Sequence, residues 1–263
     1  MKAPLISVVM CVYNGEKWID TAVSSILNQT YSNFELIVVN DYSSDTTLQH
    51  LLKIRDKRVR LINNNKNYGV AFSLNKALKI TKGKYVARMD ADDKAVINRL
   101  KKQSSFLEEN PSVAAVGTWA KLITESGKLI KIQKVPCYYS EIKSAIIKFN
   151  PLIHPTIMIR KNILDEIGFY NVKYEGAEDY DLFLRLANRY TVVNIPTVGL
   201  IHRVHSDAVT QKRMKYIEIQ SLRVRLNAIR QYQYSYWKLI YLIRPILFLF
   251  IPTQIKQFYA SKN

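Results

Sequence analysis

Four times within the first 93 residues, a short apolar run rich in β-branched residues breaks directly into a cluster of small polar ones. The first run, residues 6–12, is almost wholly apolar, the pattern of a strand buried on both faces, and it ends in Tyr13-Asn14-Gly15-Glu16. The second, residues 35–39, runs into Asn40-Asp41-Tyr42-Ser43-Ser44-Asp45, whose short polar side chains favour a turn and a helix N-cap. The third, residues 59–62, precedes a loop over 63–69; the fourth, residues 84–89, meets Asp90-Ala91-Asp92-Asp93. Between these runs, Trp18, Ile19, Ala22, Val23, Ile26 and Leu27 fall at helical spacing, and a second helix is predicted from about 70 to 80. Repeated strand, loop and helix units imply an α/β fold with a mostly parallel sheet and right-handed crossovers. Ligands of such sheets gather at the carboxyl ends of the strands, so the four polar clusters are predicted to converge on one edge.

The second half is less regular. Residues 113–132 read as strands with a hairpin at Glu125-Ser126-Gly127-Lys128, residues 139–148 as a helix and residues 156–159 as a strand. Leu182, Phe183, Leu186 and Ala187 mark one face of a further helix, and from about 211 onward the chain reads as helical and basic.

Asp90, Asp92 and Asp93 repel one another unless a cation or hydrogen-bond donors compensate. Oxygen ligands suit Mg²⁺ or Mn²⁺, although an N-cap or a solvated acidic turn would use the same residues. Glu178-Asp179-Tyr180-Asp181 opens the amphipathic helix, where carboxylates also complement the positive end of the macrodipole. Capping accounts for at least one of these acids, and a general base is the other role open to them. His202 and His205, interleaved with Arg203, offer imidazole to a metal and guanidinium to a phosphate, or simply form a polar loop. The chain lacks dinucleotide-binding, Walker, nucleophile-elbow and Cys-x-x-Cys patterns, which excludes the enzymes those motifs build.

Cys11 and Cys137 are far apart and form no disulfide framework, which fits a reducing compartment. The apolar run at residues 6–12 is too short for a signal peptide, so a cytoplasmic location is expected. Lys and Arg number 39 against 21 Asp and Glu, a net charge of +18 that favours an anionic partner. Much of the excess lies after residue 201, where Asp207 and Glu218 are the only acids. There an apolar stretch at 239–251, about 13 residues, is shorter than the ~20 that span a bilayer. Tyr232, Tyr234, Tyr236, Trp237 and Tyr241 flank it, a composition suited to a helix lying on an anionic membrane surface or packing on the domain. Nucleic acid is not expected, because both acidic clusters would oppose a polyanion.

In order and at matching spacing, several segments resemble family 2 glycosyltransferases. They are Ser7-Val8-Val9-Met10-Cys11-Val12-Tyr13-Asn14-Gly15, the stretches 25–31 and 34–45, Met89-Asp90-Ala91-Asp92-Asp93 with Arg99-Leu100, Asn150-Pro151, His154-Pro155-Thr156, and the stretch 176–182. The resemblance covers roughly residues 4–210. It implies the GT-A fold, Rossmann-like and flanked by helices, with a C-terminal helical extension. A transferase domain would span 1–210, its nucleotide-sugar half 1–118 and its acceptor half 119–210, followed by a basic extension at 211–263. The implied reaction is inverting transfer from a nucleotide sugar, a UDP-sugar, to a growing or lipid-linked glycan at the inner face of the membrane. Tyr13 would stack on the base, the main chain near Cys11 would line its pocket, and Asp41 would accept from it, with Arg99 also on the donor side. Asp90 would contact ribose or metal, Asp92 would hold Mn²⁺ or Mg²⁺, and His205 would sit near the metal or diphosphate. Asp179 would be the base, with Glu178 orienting it or contacting the acceptor. Two positions depart from the family pattern: Asn40 stands where a second acid is usual, and Tyr42 where glycine is often found. A sugar-1-phosphate nucleotidyltransferase would instead carry a glycine-rich basic loop after the first strand, and residues 13–16 are not one.

Overall fold

Strand β1 (Ile6–Val12) is central to the sheet in the computed structural model, which describes residues 3–205, 213–232 and 236–250. Its side chains alternate between two apolar clusters: Ile6, Val8, Met10 and Val12 face one, and Val9 faces the other. The same alternation runs through β2 (Phe34–Asn40), where Leu36 and Val38 oppose Ile37 and Val39. With β3 (Val59–Asn63) and β4 (Tyr85–Asp90) these strands form a parallel block in the order β3-β2-β1-β4. Helix α1 (Ile19–Leu27) covers one face with Ile19, Ala22, Val23 and Ile26. After α2 (Thr47–Leu52), α3 (Val70–Leu78) covers the other with Ala71, Leu74, Ala77 and Leu78. Each aliphatic side chain fully buried this way contributes ~1.5–3 kcal/mol.

Register sets the outcome that matters for function. Val12 lies opposite Asn40, Asn40 opposite Asn63, and Cys11 opposite Asp90, so the four polar clusters emerge side by side at the carboxyl edge. Gly83 makes the entry into β4 possible: a Cβ there would lie 2.5 Å from the Ser7 amide nitrogen and 2.8 Å from the carbonyl oxygens of Leu5 and Tyr85.

Beyond β4 come β5 (Lys94–Ala95), α4 (Arg99–Glu109), β6 (Val113–Thr124), β7 (Leu129–Gln133), α5 (Tyr139–Ala145) and β8 (Met158–Arg160). They are followed by α6 (Lys161–Ile167), α7 (Glu178–Arg189) and β9 (Thr191–Val204). The sheet continues from β4 as β8-β6-β9-β5, with β7 a hairpin arm on β6. It is mixed in this half. β8 runs antiparallel to β4 and β6, β9 parallel to β6, and β5 antiparallel to β9. The polar-loop alternative for residues 202–205 is corrected here: His202 and Arg203 lie within β9, and His205 follows its last residue. Pro196 and Gly199 hid this strand from pattern reading, and register shifts around Thr118–Ala120 absorb them.

Helix α8 (Met214–Gln231) packs against α7, burying Val224, Ala228 and Ile229 in the cluster that holds Phe183 and Leu186. A 3-10 helix (Tyr236–Leu242) and α9 (Ile243–Phe250) follow. Leu242 is buried there, whereas Tyr236, Trp237, Ile240, Ile243 and Leu247 are exposed. Among the described residues no helix is long and apolar enough to cross a membrane. Tyr234 and residues 251–263 of the expected extension lie outside the described residues.

Candidate active site

The acidic turn is built by β4. Asp90 closes the strand beside Cys11, and carboxylate oxygens of Asp90, Asp92 and Asp93 all lie within 4.8 Å of one another. Their environments differ. Asp93, with a side chain 0% exposed, is consumed by β9: it accepts from the Arg203 amide at 2.9 Å and pairs with His202 Nδ1 at 3.0 Å. This pair staples the turn to a strand 109 positions away. Burial disfavours a charged His202 ring, but Asp93, with Asp90 and Asp92 beyond it, raises its pKa to about 9.

Asp90 and Asp92 keep side chains 28% and 33% exposed. Asp92 Oδ2 lies 3.0 Å from His205 Nε2. Burial alone would raise the Asp92 pKa, yet this hydrogen bond and the nearby imidazoles hold it below the usual carboxylate range. Asp90 accepts a hydrogen bond from Arg88. Two open carboxylates beside an imidazole form an oxygen-rich, partial coordination shell, which fits Mg²⁺ or Mn²⁺ that completes its coordination on substrate phosphates. Arg203 braces the same corner, its guanidinium carbon 4.1 Å from the Trp18 ring centroid and its Nη1 donating to the Glu125 carbonyl at 2.9 Å.

The second acidic group opens α7. Glu178 accepts from the Gly176 amide, and Asp179 Oδ2 accepts from Asn150 Nδ2 at 3.1 Å. Asp181 faces away. It is paired with Arg185 at 2.9 Å, and Arg185 also donates to the carbonyls of Ile167, Gly168 and Phe169. It is therefore the structural acid of the three. Burial pushes the Asp179 carboxyl up to about 6 and, with the adjacent Asp179 charge, the Glu178 carboxyl up to about 7. Such values suit a proton acceptor near neutrality.

Between the two acidic groups stands Arg88, 5% exposed, which sequence reasoning missed. Its charge bears on Asp90, Glu178 and Asp179, and its Nε has no hydrogen-bond partner among the described residues. The signal was present: an arginine in the middle of the otherwise apolar run Tyr-Val-Ala-Arg-Met. His154, bonded to the Tyr170 hydroxyl at 2.7 Å, lies in the same interior; burial and the Arg88 charge lower it to about 3, so the ring is neutral.

At the carboxyl end of β1, Tyr13 is exposed just past the strand. Cys11 lies in β1 with its thiol pushed up to about 12 by burial. Asp41 is 1% exposed, and its oxygens accept hydrogen bonds from the chain itself. Oδ1 accepts from Asn64 Nδ2 at 2.7 Å and the Tyr68 amide at 3.0 Å, and Oδ2 from the Gly69 amide at 2.8 Å. The carboxylate pins the loop before α3 against the end of β2. Arg99, the first residue of α4, is 1% exposed. It donates to the Arg88 carbonyl at 2.7 Å and to Gln103 Oε1 at 3.0 Å. Because the side chain leaves the start of α4 inward, it supports β4 from below.

The family model for glycosyl transferase family 2 matches residues 7–168. An uncharacterized glycosyltransferase of Haemophilus influenzae is 39% identical over 215 residues, covering 78% of this chain and 67% of the relative. The Escherichia coli UDP-Glc:alpha-D-GlcNAc-diphosphoundecaprenol beta-1,3-glucosyltransferase WfgD is 30% identical over 220 residues, covering 82% of this chain and 83% of that protein. Among solved structures, the mannosyltransferase PcManGT from Pyrobaculum calidifontis, in complex with GDP-Man and Mn²⁺, superposes with a TM-score of 0.68. It is 18% identical and covers 95% of this chain and 71% of its own.

Proposed function

The chain belongs to glycosyl transferase family 2 and has the GT-A fold, and we propose that it is an inverting enzyme using a UDP-sugar to extend a growing or lipid-linked cell-surface glycan. The observation that carries this is the contrast between two carboxylate groups, both under the charge of buried Arg88. Asp90 and Asp92 are open and suited to a cation; Asp179 is desolvated, hydrogen-bonded by Asn150 and suited to a proton.

Asp179 takes the proton of the acceptor hydroxyl as its oxygen attacks the anomeric carbon and the bond to the diphosphate breaks on the opposite face. Glu178 orients the acceptor or the base. One displacement inverts the centre and requires no enzyme nucleophile, whereas retention would need a second carboxylate close to the sugar. Mn²⁺ or Mg²⁺ held by Asp90 and Asp92, with His205 beside them, would neutralise the charge developing on the diphosphate. Tyr13 stacks on the base, the main chain at Cys11 lines its pocket, and Asp41 shapes that pocket through the loop it pins. The UDP-glucose named for the Escherichia coli relative supports a uridine donor, and its diphosphoundecaprenol acceptor supports a lipid-linked one.

In this scheme residues 1–210 are the transferase domain and 211–263 an extension that rests on the cytoplasmic face of an anionic membrane. The exposed run of Tyr236, Trp237, Ile240, Ile243 and Leu247 supports that placement. The test is a panel of UDP-, GDP-, CDP- and dTDP-sugars with and without Mn²⁺ or Mg²⁺, assayed for binding and turnover. Metal-dependent use of one donor is expected, with binding weakened in Asp92→Ala and turnover alone lost in Asp179→Ala. Failure of the wild type to bind any of the four would overturn the proposal.

A further inference from the structure

Two non-glycine residues at the carboxyl edge hold positive φ, Asn14 at +52° and Tyr42 at +62°. Asparagine adopts this region readily, whereas for a bulky side chain it is an outlier that the surroundings must impose. The surroundings do so here. Asn40 Oδ1 accepts from the Ser43 hydroxyl at 2.6 Å, Ser43 Oγ accepts from the Asn14 amide at 3.0 Å, and Asn14 Oδ1 accepts from the Ser44 amide at 2.8 Å. On the other side Asp41 is locked to the Tyr68 and Gly69 amides. The loops after β1 and β2 are thereby zipped together with Tyr42 at their crest. Glycine would take the same backbone without strain.

Nothing among the described residues compensates for tyrosine at this position. Its side chain is 57% exposed, and among the described residues it makes no hydrogen bond, ion pair or ring contact. Tyr68, on the neighbouring loop, is the contrast. It is stacked on Phe72 with ring centroids 4.3 Å apart, lies 4.9 Å from Lys66 Nζ and donates its hydroxyl to Asn65 at 2.9 Å. Tyr13 is the only other ring at this edge left unpartnered among the described residues, and the Val12–Asn40 register places it beside Asp41, the residue that follows β2.

We propose that Tyr42 is a donor-binding residue whose ring, with that of Tyr13, forms an aromatic mouth that takes the planar nucleobase. The inference rests on the glycosyl-transfer reading and adds to it a residue whose fold cost is met only when nucleotide is bound. Stacking is tolerant of base identity because every base has a π-face, so Tyr42 supplies affinity and leaves base choice to the polar groups below it.

The test compares wild type, Tyr42→Phe and Tyr42→Gly by calorimetric titration with UDP in Mn²⁺, and by thermal unfolding without nucleotide. Tyr42→Gly is expected to raise Tm while weakening UDP binding ~tenfold, equivalent to about 1.4 kcal/mol and within the range of one base–aromatic stack. Tyr42→Phe should match the wild type in both. UDP binding by Tyr42→Gly within twofold of wild type would overturn the assignment. So would a lowered Tm in Tyr42→Gly, which would make the ring structural. If the wild type bound none of UDP, GDP, CDP or dTDP, the glycosyl-transfer reading itself would fall, an outcome distinct from a defect confined to the variant.

Discussion

The pH dependence of transfer tests the assignment of Asp179 most directly. Burial raises its carboxyl from 3.8 to about 6, and catalysis needs the carboxylate. For a single group at that value, roughly ten molecules in eleven are ionised at pH 7 and roughly one in eleven at pH 5. The kcat/KM should therefore fall about tenfold between pH 7 and pH 5 and by a decade per unit below. A carboxyl at the ordinary value would lose less than about a tenth over the same range. Glu178, raised to about 7, shares the first turn of α7, so the wild-type limb belongs to the pair; Glu178→Gln isolates the limb of Asp179. The assay is initial-rate release of nucleoside diphosphate from pH 5 to 8.5 at saturating Mn²⁺, with circular dichroism to confirm the fold at each pH. Stability should move the opposite way. A carboxyl raised in the folded state binds more protons there than in the unfolded chain, so its contribution is full below about pH 4 and is lost as pH rises through about 6. Asp179→Asn should thus be inactive yet more stable at pH 8, by at most ~3 kcal/mol for a shift of this size. A Glu178→Gln profile flat down to pH 5, or an Asp179→Asn protein with wild-type turnover, would refute the role of Asp179.

Wild type with UDP and Mn²⁺ at about a hundred times Kd should gain ~2.7 kcal/mol in thermal unfolding, and Asp92→Ala most of that less; equal gains would remove Asp92 from the metal site. Gly83→Ala places a methyl against backbone atoms of β1 and should lower the denaturant midpoint by the equivalent of ~1–3 kcal/mol; an unchanged midpoint would show that the strands part freely there. Arg99→Lys should lower stability while leaving the Kd for UDP unchanged, because its side chain ends on the Arg88 carbonyl and Gln103; weaker UDP binding at unchanged stability would return Arg99 to the donor site. Deleting residues 235–263 should reduce co-sedimentation with anionic vesicles, and undiminished sedimentation would refute a membrane role for the exposed apolar run.

Much of the site was legible because its parts are local. Asp90 and Asp92 follow a strand whose apolar run identifies it, and Glu178 and Asp179 open a helix whose apolar face identifies it. The directions of the Asp41 and Arg99 side chains were not legible, for a common reason. A polar side chain at the end of a strand or the start of a helix can point toward the ligand or back into the protein, and composition does not distinguish the two. Asp41 found three donors in the chain, and Arg99 found a carbonyl and an amide oxygen inside it.

From its sequence, then, the chain determined that four polar clusters would sit at the ends of buried parallel strands, because period and length specify a strand and burial on both faces specifies its neighbours. Only the tertiary structure decided which acids are free. Asp93 is satisfied by a strand 109 positions away while Asp92 keeps an open face, and Asp181 is bound by Arg185 while Asp179 is held by Asn150 and backbone amides of its own helix turn. The physical reason is that hydrogen bonding and desolvation depend on every group within a few ångströms, and in this sheet those groups come from β4, β9, α4 and α7 at once.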